Sequence, residues 1–237
     1  TALFGVEVDL ELGTAQDGEG GIDELSGIEA VTGSAFDDTI VGADDTFSET
    51  FRGGAGDDFI DGGGGNDLAA WCDATGPLDI TLGGAMGGSG GEVSGASVGT
   101  DTLLNVERAM GSDFADTFGA FGFVSASSPG GFLSRFNAFE GRGGNDQIFG
   151  NGATRAEYTG ASDGVTVDLD AGMAWGNESV GTDMLSGVSQ IRGSSFVDTF
   201  FGSQFDDSFD GRAGNDQING RGGFDRADYA FNGPASV

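Results

Sequence analysis

From Gly193 to Asp228 the chain reads GSSFVDTFF (193–201), GSQFDDSFD (202–210), GRAGNDQIN (211–219) and GRGGFDRAD (220–228), four nonapeptides laid end to end. Each begins with Gly and has Asp at its sixth place, and the first three carry an apolar residue at the eighth. Six residues rich in Gly and Asp make a turn, because Gly tolerates positive φ and Asp hydrogen-bonds its own backbone. The three residues that follow make a very short strand whose central side chain points inward. Two such units complete one coil of about 18 residues, so turns on one edge recur every second nonapeptide. A sixth-place Asp then lies over the Asp of the next coil at roughly 4.8 Å, one strand spacing. Two carboxylates that close repel unless a cation sits between them. Carboxylates together with the carbonyls of Gly-rich turns are hard oxygen donors, which suit Ca2+ far better than zinc or copper.

The same block occurs twice more. GSAFDDTIV (33–41) is followed by an eleven-residue stretch, Gly42 to Arg52, and then by GGAGDDFID and GGGGNDLAA. Aligning FSETFR of that stretch with FDDSFD puts Glu49 at the sixth place. GSDFADTFG (111–119) is followed by an insertion from Ala120 to Glu140, by GRGGNDQIF and by the eroded GNGATRAEY, whose sixth-place Asp is gone. Within the insertion Asn137 takes the equivalent place and carries no charge.

Between the blocks, GVEVDLELG (5–13), PLDITLGGA (77–85) and GVTVDLDAG (164–172) alternate apolar and polar residues, the period of a half-buried strand. A Gly/Ser-rich loop is expected next, and then IDELSGIEAVTGS, TDTLLNVERAMGS or TDMLSGVSQIRGS. These last segments read either as a short amphipathic helix or as more coils of the same solenoid. Gly27 and Gly187 in mid-segment count against the helix. Gly33, Gly111 and Gly193 mark corresponding points about 80 residues apart, so the expected fold is an all-β parallel solenoid of three related cassettes. The cassettes divide as 1–70, 71–158 with the insertion 120–140, and 159–228, with 229–237 opening a further one. Stacked coils predict an elongated array on the order of 60 Å, a segment of a longer run with ends open to end-to-end self-association.

The composition, with Gly 48 and Asp+Glu 39, resembles that of a disordered acidic tract. Against disorder in the presence of calcium stand hydrophobic residues at 37% and 20 Phe, many at fixed places: Phe114, Phe118, Phe196, Phe200, Phe205 and Phe209 read as fillers of the core. A formal charge of −30 argues against nucleic acid or anionic membrane surfaces and makes calcium ions the natural partners. No run of eighteen apolar residues is available to insert into a membrane. The lone Cys72 excludes a disulfide framework and reads as a small half-buried side chain beside Trp71. His is absent, which removes Ser-His-Asp, Cys-His and His-ligated zinc chemistry. Asp37 with Asp38 and Asp206 with Asp207 resemble glycosidase carboxylate pairs, but they occupy the fifth and sixth places of the repeat, where calcium ligation explains them better. The chain is therefore read as non-enzymatic, with no catalytic residues.

With about ten nonapeptides in register, the chain resembles the RTX (repeats-in-toxin) calcium-binding proteins with haemolysin-type repeats. The resemblance implies a right-handed parallel β-roll, calcium bound between stacked turns, and a secreted or cell-surface bacterial protein exported by type I secretion that folds on meeting calcium outside the cell. Carried onto matching positions, it implies metal-binding pairs Asp38 with Asp58, Glu49 with Asp67, Asp116 with Asp146, Asp198 with Asp216, and Asp207 with Asp225. Asp23, Asp101 and Asp183 each precede a first-turn Asp by 15 residues and either add ligands or cap turns. Two functional classes stand open: a structural or interaction segment (adhesin stalk, surface-layer or filament component), and a secretion and folding module of a type I-secreted enzyme, such as a protease or polysaccharide-modifying enzyme, whose catalytic domain lies elsewhere.

Overall fold

The computed structural model describes residues 2–83, 90–124 and 135–229. The tip of the insertion and nearly all of the segment 229–237, expected to open a further cassette, lie outside the described residues. All described secondary structure is β, in 22 strands. The first eight are β1 (Glu7–Asp9), β2 (Thr14–Gln16), β3 (Ile22–Glu24), β4 (Ala30–Thr32), β5 (Thr39–Val41), β6 (Thr50–Arg52), β7 (Phe59–Asp61) and β8 (Leu68–Ala70). The next seven are β9 (Asp79–Leu82), β10 (Gly90–Gly95), β11 (Gly99–Leu104), β12 (Arg108–Met110), β13 (Thr117–Gly119), β14 (Asn137–Glu140) and β15 (Gln147–Glu157). The last are β16 (Thr166–Asp168), β17 (Met173–Trp175), β18 (Thr182–Arg192), β19 (Thr199–Phe201), β20 (Ser208–Asp210), β21 (Gln217–Asn219) and β22 (Arg226–Ala227).

Most strands have three residues because the turn consumes the other six of each nonapeptide. The chain alternates between two faces. One face is parallel throughout and runs β4, β6, β8, β12, β14, the second half of β15, the second half of β18, β20 and β22. The other runs β3, β2, β1, β5, β7, β11, β10, β9, β13, the first half of β15, the first half of β18, β17, β16, β19 and β21. On this face β2, β10 and β17 are antiparallel to both neighbours, so three three-stranded meanders interrupt the parallel order.

Each meander starts at one of the alternating segments and ends in the IDELSGIEAVTGS-type segment. The solenoid reading of the latter holds, with Glu24 and Ala30, for example, falling in β3 and β4. The stretch expected to be only a loop contains an antiparallel strand. Its residues, such as TAQ in β2 and GGEVSG in β10, carry too few apolar side chains to advertise it. They are held instead by main-chain pairing on both edges.

Between the faces lies one continuous core. The eighth-place residues Ile40, Phe51, Ile60, Phe118, Ile148, Phe200 and Phe209 are buried in it. Phe200 and Phe209 stack with ring centroids 5.9 Å apart, and Phe118 meets Phe139 at 5.1 Å. Near the second meander Trp71, Leu78, Val93, Val98 and Phe123 belong to the same core.

Not every repeated Phe is a filler. Phe114, Phe196 and Phe205, expected inside, stand at the fourth place on the outward bend of a turn and are exposed, Phe205 by 78%. The eighth place lies at the centre of a strand and points inward; the fourth lies where the chain reverses, so an identical residue has the opposite fate. Phe209→Ala should therefore cost about 3–5 kcal/mol and lower the midpoint of thermal unfolding. Phe205→Ala should leave it nearly unchanged in the same calorimetric scan.

Candidate metal-binding turns

The sixth-place carboxylates form stacks along the two edges of the roll, and the interaction that repeats is a main-chain N–H donated from one coil to the carboxylate of the next. On the first edge Val6 donates to Asp38 Oδ1 (2.7 Å), Asp38 to Asp58 Oδ1 (2.9 Å) and Asp58 to Asp101 Oδ1 (3.1 Å). Trp71 Nε1–H closes that stack on Asp101 Oδ2 at 2.7 Å. Leu78 donates to Asp116 (2.8 Å), Asp116 to Asp146 (2.8 Å) and Asp146 to Asp183 (3.1 Å). In the last block Val165 donates to Asp198 (2.8 Å) and Asp198 to Asp216 (3.0 Å). On the opposite edge Glu49 donates to Asp67 Oδ1 (2.9 Å), Asp67 to Glu107 Oε2 (3.0 Å) and Asp207 to Asp225 Oδ1 (3.1 Å).

The turn sequence builds each acceptor locally. In the GS-x-F turns the Ser amide donates to the carboxylate four residues on, at 2.6 Å for Ser112 to Asp116 and 2.8 Å for Ser194 to Asp198. The Ser hydroxyl accepts the amide two residues ahead, as from Phe114 at 3.1 Å and Phe196 at 2.9 Å. First-place Gly is required because the carboxylate lies directly over its Cα. A Cβ on Gly33 would strike Asp38 Oδ2 and the Gly53 carbonyl oxygen, and one on Gly202 would strike the Gly220 carbonyl oxygen and Asp207 Oδ2.

The same crowding places donors for a cation together. A carboxylate oxygen and a Gly carbonyl of the following coil share one small space. Asp58 Oδ2, Asp67 Oδ2, Asp146 Oδ2 and Glu49 Oε2 are buried and accept no hydrogen bond. Among the described residues no three acidic or cysteine side chains converge on one point, so carboxylate pairs together with main-chain carbonyls are the candidate donor sets. All-oxygen sets of this type fit Ca2+.

All five pairs expected from the sequence are brought together, including the two whose separations of 20 and 30 residues bracket insertions. Asp101 and Asp183 extend two of the stacks, whereas Asp23 lies exposed in β3. Glu107 was missed. It could have been found by counting four residues back from the Gly that opens each block, which gives Glu29, Glu107 and Ser189.

Beyond Glu107, the sixth places of the middle cassette on that edge carry no carboxylate. There Asn137 stacks over Thr154, both buried, and Asn137 Oδ1 accepts no hydrogen bond. Next to them Glu157 is buried among arginines from three coils: Arg155, Arg108 (Nη2 to Oε2, 2.9 Å) and Arg192 (Nη1 to Oε1, 3.6 Å). Burial raises its pKa, but Arg108 and Arg155 outweigh that and hold the carboxyl below its ordinary value.

In the stacks proper the balance is reversed. Desolvation, with the neighbouring carboxylate adding to it, pushes Asp58 up to about 7 and both Asp67 and Asp146 up to about 8, while burial raises Asp183 to about 7. Asp116, Asp198 and Glu49 shift in the same direction, first through burial.

This geometry defines a class, a repeat solenoid whose turns present calcium-type oxygen donors. The model of the RTX calcium-binding nonapeptide repeat matches in four copies, at residues 45–69, 136–153 and 192–227. The chain thus carries calcium-binding nonapeptide repeats of the RTX type, and its all-β, mostly parallel architecture is consistent with a β-roll. The matched segments fall on the nonapeptide blocks, and the meanders lie between them. No curated protein matches the chain.

Because these carboxyls are raised in the folded state, the metal-free fold binds more protons than the unfolded chain. Its stability should be highest near the unfolded carboxylate pKa of about 4 and fall as pH rises to about 8. Circular dichroism in chelator should show β-structure being lost over that window, and added calcium should reverse the trend. A metal-free β-signal that strengthens from pH 5 to pH 8 would contradict the assignment of the stacks.

Proposed function

We propose that this chain is a structural and interaction segment of a secreted bacterial RTX protein, of the kind that forms an adhesin stalk, a surface layer or a filament. In this reading it leaves the cell unfolded by type I secretion and folds on calcium outside. The observation that carries the reading is the run of buried carboxylates, stacked coil on coil in a chain of formal charge −30. Such stacks oppose folding where calcium is scarce and drive it where calcium is plentiful, because metal-binding free energy becomes folding free energy. Open extracellular calcium sites bind at roughly 10⁻⁴ to 10⁻³ M, a range suited to that switch. A non-catalytic role is supported by the use of these carboxylates as acceptors of main-chain amides, which leaves them facing one another.

The decisive experiment is circular dichroism with calcium and then with excess chelator at neutral pH. β-structure should appear with calcium and disappear with chelator; a signal that survives complete chelation would refute the proposal. Within the array, Asp216→Ala leaves one carboxylate in its pair and should raise the calcium concentration at the folding midpoint several-fold. Asn137→Ala removes no charge and should shift it little. Equal shifts would mean that the Asn137 and Thr154 turns also hold an ion.

A further inference from the structure

A cavity of about 700 Å3 opens on the edge of the third cassette that carries Asp207. Three segments build most of it: the turn between β16 and β17, the middle of β18, and the turn between β19 and β20. Leu169 and Val188 give it an apolar wall, each half-buried and packed against the core. Phe205 stands on its rim, 78% exposed, between Gln204 and Asp206, which are exposed as well. The bend that presents the ring is fixed, because the Phe205 amide donates to Ser203 Oγ at 3.0 Å and that hydroxyl donates to Asp207 Oδ2 at 2.9 Å. Asp206 accepts the Phe224 amide on Oδ1 at 2.8 Å, which leaves its second oxygen for a ligand. Coils of the array lie on both sides of the cavity, Gly152 belonging to the turn before it and Phe224 to the turn after.

The first cassette repeats the construction on a smaller scale. There Leu10, Gly27 and Phe47 take the places of Leu169, Gly187 and Phe205 around a cavity of about 130 Å3, and Phe47 is 67% exposed. A Phe held out on a rigid bend adds nothing to the core, so its recurrence beside a cavity calls for a ligand. The larger cavity has the size of a small-molecule site. One aromatic face, an apolar wall and a few amide and carboxylate groups match a pyranose ring. The C–H face of the sugar is apolar and weakly positive, and it lies against the negative face of an aromatic ring. Its hydroxyls donate to carboxylates and both donate to and accept from an amide. Asp170 and Asp206 put carboxylates on the rim, and in a chain of formal charge −30 they oppose an anionic ligand. Sites that recur along an array suit a ligand that itself repeats.

We propose that the cavity beside Phe205 binds an uncharged polysaccharide, with Phe205 as the platform on which a sugar ring stacks and Gln204 and Asp206 as partners for its hydroxyls. The site gives the structural and interaction reading a partner and rests on the calcium-dependent fold, so its test reads fold and binding separately.

The chain is first folded in saturating calcium, as read by circular dichroism, in a Phe47→Ala background that leaves the larger cavity alone. Calorimetric titration with cellohexaose and with maltohexaose should then show saturable binding of at least one of them, with Kd at or below about 1 mM. Hexagalacturonate, an anionic counterpart, should bind about tenfold more weakly or not at all. Adding Phe205→Ala should weaken the binding about tenfold with an unchanged circular dichroism spectrum. Phe196→Ala, at the same place of the repeat but outside the cavity, should leave binding as it was. A β-folded chain that binds neither neutral oligosaccharide, equal binding of hexagalacturonate, or equal losses from Phe205→Ala and Phe196→Ala overturns the site. A chain that fails to gain β-structure in calcium overturns the functional reading beneath it, and this one with it.

Discussion

Everything in this solenoid depends on one recurrent contact, a main-chain N–H of one coil donated to the carboxylate of the next. It fixes the register between coils, because the donor and acceptor are corresponding residues one coil apart. It also forces the chain to bury a column of negative charge. Each carboxylate spends one oxygen on the neighbouring amide and, in Asp58, Asp67 and Asp146, leaves the other buried and without a hydrogen bond. The contact that aligns the coils therefore creates an electrostatic problem of the kind that a divalent cation relieves.

The nonapeptide register was legible because turn and strand impose different demands at fixed places. Gly is excluded from substitution at the first place by the carboxylate above it, and the eighth place must be apolar because it is the inward residue of a three-residue strand. This is why the five carboxylate pairs could be read from the sequence, even across the insertion before Asn137. The strands β2, β10 and β17 were not legible, since edge-to-edge pairing leaves little mark on side chains such as those of TAQ. Nor was the fate of Phe114, Phe196 and Phe205, because composition does not distinguish a residue on a bend from one in a strand. Glu107 escaped because its segment lacks the Gly-rich spelling of the repeat while keeping its spacing. In place of the first Gly that would follow Asp101 stands Asn105, with φ 49°, a residue type that tolerates this backbone nearly as well.

The middle cassette solves the repulsion differently. Where Asn137 and Thr154 replace two carboxylates, that pair of turns buries no charge of its own at the sixth place. The neighbouring Glu157 takes its cations from the protein itself, through Arg108, Arg155 and Arg192 on three separate coils. Phe136 adds a face for Arg155, whose guanidinium carbon lies 4.8 Å from the ring centroid. Covalently tethered cations do not dissociate, so the centre of the array has cross-coil links that need no bound ion.

The two faces of the roll are unequal. Each meander adds two strands to one face while the opposite face advances by a single pairing step, from β4 to β6, from β12 to β14 or from the second half of β18 to β20. At about 4.8 Å per strand, each meander lengthens its face by roughly 10 Å relative to the other. Since the coils tie both faces together at every turn, the roll must absorb that difference within each cassette.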